Sequence, residues 1–159
     1  MIHFVGAGPG AADLITMRGH QLLTQADVII YAGSLVNPEL LQYAKESCSI
    51  YNSASMTLEE VIDVMKQAEE KNQLTVRLHT GDPCLYGAIR EQMDQLDAYN
   101  ITYDVVPGVS SFCGAAAALK AEYTLPNVSQ SVIITRMAGR TPVPEKEEIA
   151  LLAAHQATM

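Results

Sequence analysis

The sequence has few basic residues for its acidity. It holds 10 lysines and arginines against 18 aspartates and glutamates, a formal net charge of −8. Nucleic-acid affinity depends on clustered positive charge, so this balance argues against a nucleic-acid partner. Only three cysteines occur (Cys48, Cys84 and Cys113), and their odd number and wide spacing argue against a disulfide framework and a zinc site. We therefore predict neither a metal nor a nucleic-acid ligand.

The sequence also lacks a long apolar run. No stretch reaches the roughly 18 apolar residues that a membrane span requires. The amino terminus has no basic segment and enters a glycine loop at once, which predicts a cytoplasmic protein without a leader. With 159 residues, 48% of them apolar and 18% charged, the chain is predicted to be globular, with one domain or one domain plus a fragment of another.

Short apolar runs alternate with helical patterns along the chain. This alternation predicts an α/β fold in which a parallel sheet is flanked by helices. A capping residue at Thr16 and a capping box at Thr57–Glu60 predict two helix starts. A third helical face runs from Leu85 through Ala88 to Leu96. The predicted strands are Ile2–Val5, Val28–Tyr31, Leu74–Leu78 and Thr102–Val106.

The pattern changes after residue 121. Residues 122–130 show no strong periodicity and read as a linker. A strand at Ser131–Arg136 and a helix at Glu145–His155 follow, and these are too few elements for a domain of their own. We expect residues 1–121 to form an amino-terminal α/β domain and residues 131–159 to be the start of an incomplete second α/β domain.

Three glycine turns follow predicted strands. They are Gly6–Gly10, Gly81–Pro83 and Pro107-Gly108. Ligands of parallel sheets bind beyond the carboxyl ends of the strands, so the three turns are expected to form one rim. Each turn also has a purely structural interpretation, because Asp82 before a proline is a common turn former and Ser110 could cap a helix. His79, just before the second turn, could reach the same rim.

The first turn has the Gly-x-Gly-x-x-Ala spacing of a dinucleotide-binding loop. In such loops a helix begins immediately and aims its amino terminus at the pyrophosphate. Here the helix is delayed to about Thr16, and Tyr31, not an acid, ends the second strand. The loop therefore favours close approach of a different ligand to the bare backbone. A nucleotide-binding oxidoreductase is kept as the alternative.

Taken together, these stretches resemble the tetrapyrrole (precorrin/uroporphyrinogen) methylase family. Two other stretches, Tyr31–Pro38 and Met137–Pro142, are most similar to members that methylate carbon 11 of precorrin-4 in cobalamin synthesis. The matching motifs occur in order along the whole chain: Val5–Thr16, Thr80–Pro83 with Tyr86-Gly87, Val106–Ser111 and Ser131–Arg136.

The resemblance implies a two-domain homodimer that uses S-adenosylmethionine (SAM) to methylate a carbon of a precorrin or cobalt-precorrin. Arg18, Arg136 and Arg140 are candidates for binding the substrate carboxylates, and the sequence identifies no catalytic base. An inactive amino-terminal fragment that keeps only the fold and the oligomer contacts is the alternative. By resemblance, the cofactor-binding residues are Pro9, Thr80, Gly81, Asp82, Leu85, Ser110 and Ser111.

Overall fold

A computed structural model of the chain describes residues 1–139 and 141–159. The chain divides into two compact units, residues 1–114 and residues 115–159. The strands are β1 (Ile2–Gly6), β2 (Val28–Tyr31), β3 (Ser49–Asn52), β4 (Thr75–His79) and β5 (Tyr103–Val106). The α-helices are α1 (Met17–Gln25), α2 (Leu58–Glu70), α3 (Arg90–Ala98), α4 (Ser111–Leu119) and α5 (Ile149–Ala153).

The five strands form one sheet in the order β3-β2-β4-β1-β5, and every neighbouring pair is parallel. This confirms the predicted parallel sheet. β1 lies between β4 and β5, with Val5 opposite both Leu78 and Val106. The carboxyl ends of these three strands are therefore side by side, which is the arrangement that brings their following turns together.

Both faces of the sheet are buried, as a parallel sheet requires. Alternate residues of β1 enter separate apolar clusters, Ile2 and Phe4 on one face and Val5 on the other. The first cluster is covered by α2 and α3, whereas Leu23 of α1 belongs to the second. The apolar area removed from water on the two faces holds the strands in register and thereby fixes the turns at their ends.

Two predicted helix starts are confirmed. The Thr16 hydroxyl accepts a hydrogen bond of 3.1 Å from the backbone N–H of Gly19 at the start of α1. At α2 the Thr57 hydroxyl accepts from Glu60 N–H at 3.2 Å, and the Glu60 carboxylate accepts from Thr57 N–H at 2.8 Å. These bonds satisfy backbone donors that have no partner within the helix.

The third predicted helix begins later than its apolar spacing suggested. Leu85 and Ala88 lie outside α3, which starts at Arg90, although Leu96 lies on its buried face as expected. Tyr86 and Ala88 have φ angles of +59° and +50°. This left-handed conformation is incompatible with a right-handed helix, so residues 83–89 form a loop.

One strand was not predicted, and the second unit is less regular than expected. All four residues of β3 are exposed, so the strand lacks the alternation that marks a half-buried strand. Ser131–Arg136 contributes only an isolated bridge from Val132 to Thr158 among the described residues. The predicted helix at Glu145–His155 is reduced to a 3₁₀ turn and the five residues of α5, none of which is buried. Short helices depend on packing for their stability, which explains the reduced length.

Two basic side chains are buried under the carboxyl end of β4. Arg77 donates to the side-chain oxygen of Gln92 at 3.0 Å and to the carbonyl of Ile30 at 3.2 Å, and burial lowers its pKa to about 10. His79 is 3% exposed, and its Nε2 has no hydrogen-bond partner among the described residues. Burial, and secondarily the Arg77 guanidinium, lower the pKa of His79 from 6.5 to about 3.

This burial makes the stability of the chain depend on pH. The unfolded state gains a proton at His79 below pH 6.5 while the folded state stays neutral down to about pH 3. The free energy of unfolding should therefore be fully retained above pH 6.5 and should fall by up to roughly 1.4 kcal/mol per pH unit below it. Urea unfolding at pH 7, 6 and 5 measures this slope. The slope of unfolding free energy against pH should flatten in His79→Leu and persist in the control His155→Asn, which changes an exposed residue. Equal slopes in His79→Leu and the parent would show that His79 is not the source of the pH dependence.

Candidate functional site

The three glycine turns meet at one edge of the sheet, as predicted. The turns after β1 and β4 pair through two backbone hydrogen bonds, from Gly81 N–H to the Gly8 carbonyl at 2.9 Å and from Gly8 N–H to the Gly81 carbonyl at 3.3 Å. Gly8 and Gly81 have φ angles of +81° and +57°, which favour glycine. The backbone itself thus forms the floor of the rim.

The turn after β5 is held against the other two without intervening side chains. A Cβ atom at Gly108 would lie 2.1 Å from the Gly81 carbonyl oxygen and 2.8 Å from the Cα of Gly6. A Cβ atom at Gly6 would lie 2.5 Å from the same oxygen. Real Cβ atoms do not approach backbone this closely, so the convergence of the three turns requires glycine at both positions.

Asp82 ties the second turn to the third. One carboxylate oxygen accepts from the backbone N–H of Cys84 at 2.8 Å, and the other accepts from the N–H of Gly108 at 3.0 Å. The first bond closes a local turn, which agrees with the prediction that Asp82 before a proline forms a turn. The second bond is made across 26 residues of sequence and fixes the relative position of two sides of the rim. Hydrogen bonds to an ionised acceptor are stronger than neutral ones, so this contact is a substantial constraint.

A cavity of about 420 Å³ opens at this rim. The seven residues predicted to bind a cofactor all line it, so the structure brings them together as one set. Gly8, Leu35 and Tyr86 line it as well and were not among the predicted binding residues. The complete lining is Gly8, Pro9, Leu35, Thr80, Gly81, Asp82, Leu85, Tyr86, Ser110 and Ser111.

Leu35 reaches the cavity from the loop that follows β2. This loop begins with a 3₁₀ turn at Gly33–Leu35, and Gly33 has a φ of +68°. The side-chain amide of Asn37 then donates to the carbonyl of Gly10 at 2.8 Å, which joins the loop to the first glycine turn. The sequence signal for Leu35 is its place in the loop after β2, since the strands of a parallel sheet end at one edge.

The cavity presents hydroxyls, backbone and apolar groups, with little charge. Among its described lining residues none is a lysine or arginine, and Asp82 supplies the carboxylate. Partial burial, followed by the nearby Asp82 carboxylate, raises the pKa of the adjacent Cys84 thiol, so this group is not an activated thiolate. The surface suits a neutral or cationic polar molecule better than a diphosphate.

The other predicted site residues that the structure describes are not among the residues that line the cavity. His79 is buried in the core and does not line the cavity. Arg18 is exposed on α1 and is also absent from the lining. In the second unit, Arg136 donates to the carbonyls of Met137, Thr141 and Pro142 at 3.2, 3.0 and 3.0 Å. Arg140 lies outside the described residues.

The whole chain, residues 1–159, matches the family described as Tetrapyrrole (Corrin/Porphyrin) Methylases. The chain belongs to this family. It is 60% identical over 155 residues to the cobalt-precorrin-4 C(11)-methyltransferase of Methanocaldococcus jannaschii, and this match covers 98% of the chain and 60% of the relative. It is 46% identical over 159 residues to the precorrin-4 C(11)-methyltransferase of Mycobacterium tuberculosis, covering 99% of the chain and 63% of the relative.

Solved structures of tetrapyrrole methylases have the same fold. A cobalt-precorrin-4 methyltransferase superimposes with a TM-score of 0.95 at 47% identity, over 98% of this chain and 65% of that one. A uroporphyrin-III C-methyltransferase from Thermus thermophilus, complexed with S-adenosylhomocysteine, gives a TM-score of 0.66 at 27% identity, over 82% of this chain and 52% of that one.

The chain thus spans less than two thirds of the length of these relatives. Within residues 1–139 and 141–159, no helix is both long and apolar enough to cross a membrane.

Proposed function

We propose that this chain contributes the SAM site of an enzyme that methylates a ring carbon of precorrin-4 or cobalt-precorrin-4 in cobalamin synthesis. One observation carries the proposal. Seven residues from three separate turns, singled out by their resemblance to the family's SAM contacts, line a single cavity. The names of relatives at 46% and 60% identity supply the reaction class and the substrate.

The cavity fits SAM in size and chemistry. Its volume of about 420 Å³ falls within the roughly 300–1,000 Å³ of small-molecule sites. Leu85 offers an apolar contact for a purine, while Thr80, Ser110 and Ser111 offer hydroxyls for the ribose and the amino-acid part. The lack of a cationic side chain in the described lining disfavours a dinucleotide with two phosphates, which weakens the oxidoreductase alternative.

The residues of this chain would act by positioning. SAM supplies an electrophilic methyl group on a sulfonium, and its transfer to a carbon leaves a neutral thioether. The three turns would hold the nucleoside against bare backbone, and the bonds from Asp82 to Cys84 and Gly108 would keep the turns from shifting. Holding two reactants at about 3–3.5 Å in the correct orientation can supply roughly 7–11 kcal/mol of a reaction barrier.

The proposal extends to the organisation of the protein. Residues 1–121 would be an amino-terminal domain and residues 122–130 a linker, with residues 131–159 the beginning of a second α/β domain. We propose a cytoplasmic homodimer in which Arg18, Arg136 and Arg140 bind carboxylates of the tetrapyrrole. No metal or catalytic base is assigned.

Calorimetric titration of the 159-residue chain tests the cofactor site. SAM and S-adenosylhomocysteine should bind, and NAD should not. Ser111→Trp places a large ring in the cavity and should weaken binding at least about tenfold, because the ring occupies volume that the ligand needs. Ser47→Trp, at an exposed turn before β3, is the matched control and should bind normally. Binding of NAD in place of SAM, or equal SAM affinity in the two variants, would contradict the proposed site.

A methyl-transfer assay separates the enzyme from the inactive-fragment alternative. The 159-residue chain is incubated with SAM carrying a labelled methyl group and with precorrin-4 or cobalt-precorrin-4. Incorporation of the label at the ring supports the full proposal. Absence of transfer supports the inactive-fragment alternative, in which this chain keeps only the fold and the oligomer contacts.

A further inference from the structure

Two of the cavity residues, Leu35 and Tyr86, are large hydrophobic residues that are exposed to solvent. Leu35 is 78% exposed and Tyr86 is 59% exposed, and Ser111 is exposed as well, whereas Gly8 at the floor is buried and Thr80, Gly81, Leu85 and Ser110 are half-buried. This gradient places Leu35 and Tyr86 at the open end of the cavity. Grouped exposed apolar side chains often mark a ligand or partner site, because leaving them in water is unfavourable.

Both side chains come from loops whose conformations are constrained. Tyr86 has a φ of +59°, which disfavours a bulky residue, and a Cβ at the following Gly87 would lie 2.1 Å from the carbonyl oxygen of Pro83. Leu35 follows Gly33, where an added Cβ would lie 2.9 Å from the Cβ of Ala54. The contacts at Gly33 and Gly87 show that the two loops are closely packed, and the positive φ of Tyr86 is backbone strain of the kind that often occurs at binding sites.

The position at the open end determines which reactant these side chains can meet. In the proposed function SAM lies against the glycine turns at the floor of the cavity, so the methyl acceptor must approach from the open side. A precorrin has a broad, largely apolar ring with carboxylates at its periphery. An aliphatic and an aromatic side chain suit the face of such a ring, whereas its carboxylates require cations, and the described lining residues include no lysine or arginine.

We propose that Leu35 and Tyr86 form an apolar platform that contacts the face of the tetrapyrrole and orients it over the cofactor. This inference rests on the proposed function and assigns the open end of the site to the acceptor. Leu35 and Tyr86 are thus substrate-positioning residues for the ring, separate from the seven cofactor residues.

The test measures two ligands on the same variants. Binding of uroporphyrin III, a stable octacarboxylate porphyrin, is followed by fluorescence in the presence of saturating S-adenosylhomocysteine, and S-adenosylhomocysteine binding is followed by calorimetry. Leu35→Ala and Tyr86→Gly should each weaken porphyrin binding about tenfold, as expected for loss of a buried apolar contact. Their affinity for S-adenosylhomocysteine should stay within about twofold of the parent. Tyr86→Phe keeps the ring and should retain porphyrin affinity.

Leu119→Ala is the matched control, since Leu119 is 77% exposed and is absent from the cavity lining. If Tyr86→Gly does not fold, Leu35→Ala, compared with Leu119→Ala, decides the outcome. Equal losses of porphyrin and S-adenosylhomocysteine affinity would overturn the platform and assign these residues to the cofactor. Absence of porphyrin binding by the parent chain, with S-adenosylhomocysteine binding intact, would also overturn it while leaving the proposed cofactor site standing.

Discussion

Replacing Gly108 by alanine is expected to destabilise the chain by about 3 kcal/mol or more and to abolish SAM binding. The added Cβ would lie 2.1 Å from the Gly81 carbonyl oxygen and 2.8 Å from the Cα of Gly6. Both neighbours are backbone atoms of adjacent turns, so neither can rotate away as a side chain would. The turn after β5 would have to separate from the other two, which breaks the bond from Gly108 N–H to Asp82 and opens the cavity.

Urea unfolding and calorimetric SAM titration measure the two effects. Gly139→Ala is the matched control, because an added Cβ at Gly139 meets no atom of the other described residues within 4 Å. This control should change the free energy of unfolding by less than about 0.5 kcal/mol. Parent-like stability and SAM affinity in Gly108→Ala would show that the three turns are not locked together as described.

Substitution of Asp82 should give the second large effect, with a graded pattern. Asp82→Ala removes the acceptors of the Cys84 and Gly108 N–H groups. At roughly 1.5 kcal/mol per bond to a charged group, the free energy of unfolding should fall by about 3 kcal/mol. Asp82→Asn keeps one acceptor oxygen but turns its amide N–H toward a backbone donor. The loss of free energy of unfolding should therefore be about half that of Asp82→Ala. SAM affinity should fall in the same order, since the shape of the rim depends on these bonds.

A comparison of SAM with S-adenosylhomocysteine separates two roles for this carboxylate. If Asp82 shapes the rim, both ligands should lose affinity in parallel, because the cavity itself is altered. If Asp82 instead neutralises the sulfonium directly, SAM should lose affinity and the uncharged thioether should not. Asp13→Asn, an exposed carboxylate outside the cavity, is the control and should leave both affinities unchanged. A selective loss of SAM affinity with unchanged stability would contradict the shaping role.

The parts of the fold that could be predicted have local signals. An apolar run such as Val28–Tyr31 must be buried on both faces, which predicts a strand within a parallel sheet. The capping box at Thr57–Glu60 is complete within four residues and locates its helix start. The convergence of the glycine turns followed from topology alone, because parallel strands share the edge at which they end.

The features that were missed depend on contacts distant in sequence. The apolar spacing from Leu85 to Leu96 is helical throughout, and only the left-handed conformations of Tyr86 and Ala88 prevent a helix before Arg90. β3 is exposed at the edge of the sheet, so no hydrophobic pattern marks it. Leu35 joins the site through a loop held by Asn37 and Gly10, a bond made across 27 residues that sequence spacing does not reveal.

The turns after β1, β4 and β5 touch through their backbones with no side chain between them, so few substitutions are tolerated there. Gly6 and Gly108 can be exchanged only by separating the turns, so this part of the cavity has a fixed shape. In the loops that carry Leu35 and Tyr86 the close contacts fall on Gly33 and Gly87, so the side chains at positions 35 and 86 can themselves be exchanged. In the proposed function, selectivity among tetrapyrroles is therefore expected to be encoded in those two loops, and exchanging them between family members should transfer the preferred acceptor while SAM affinity stays constant.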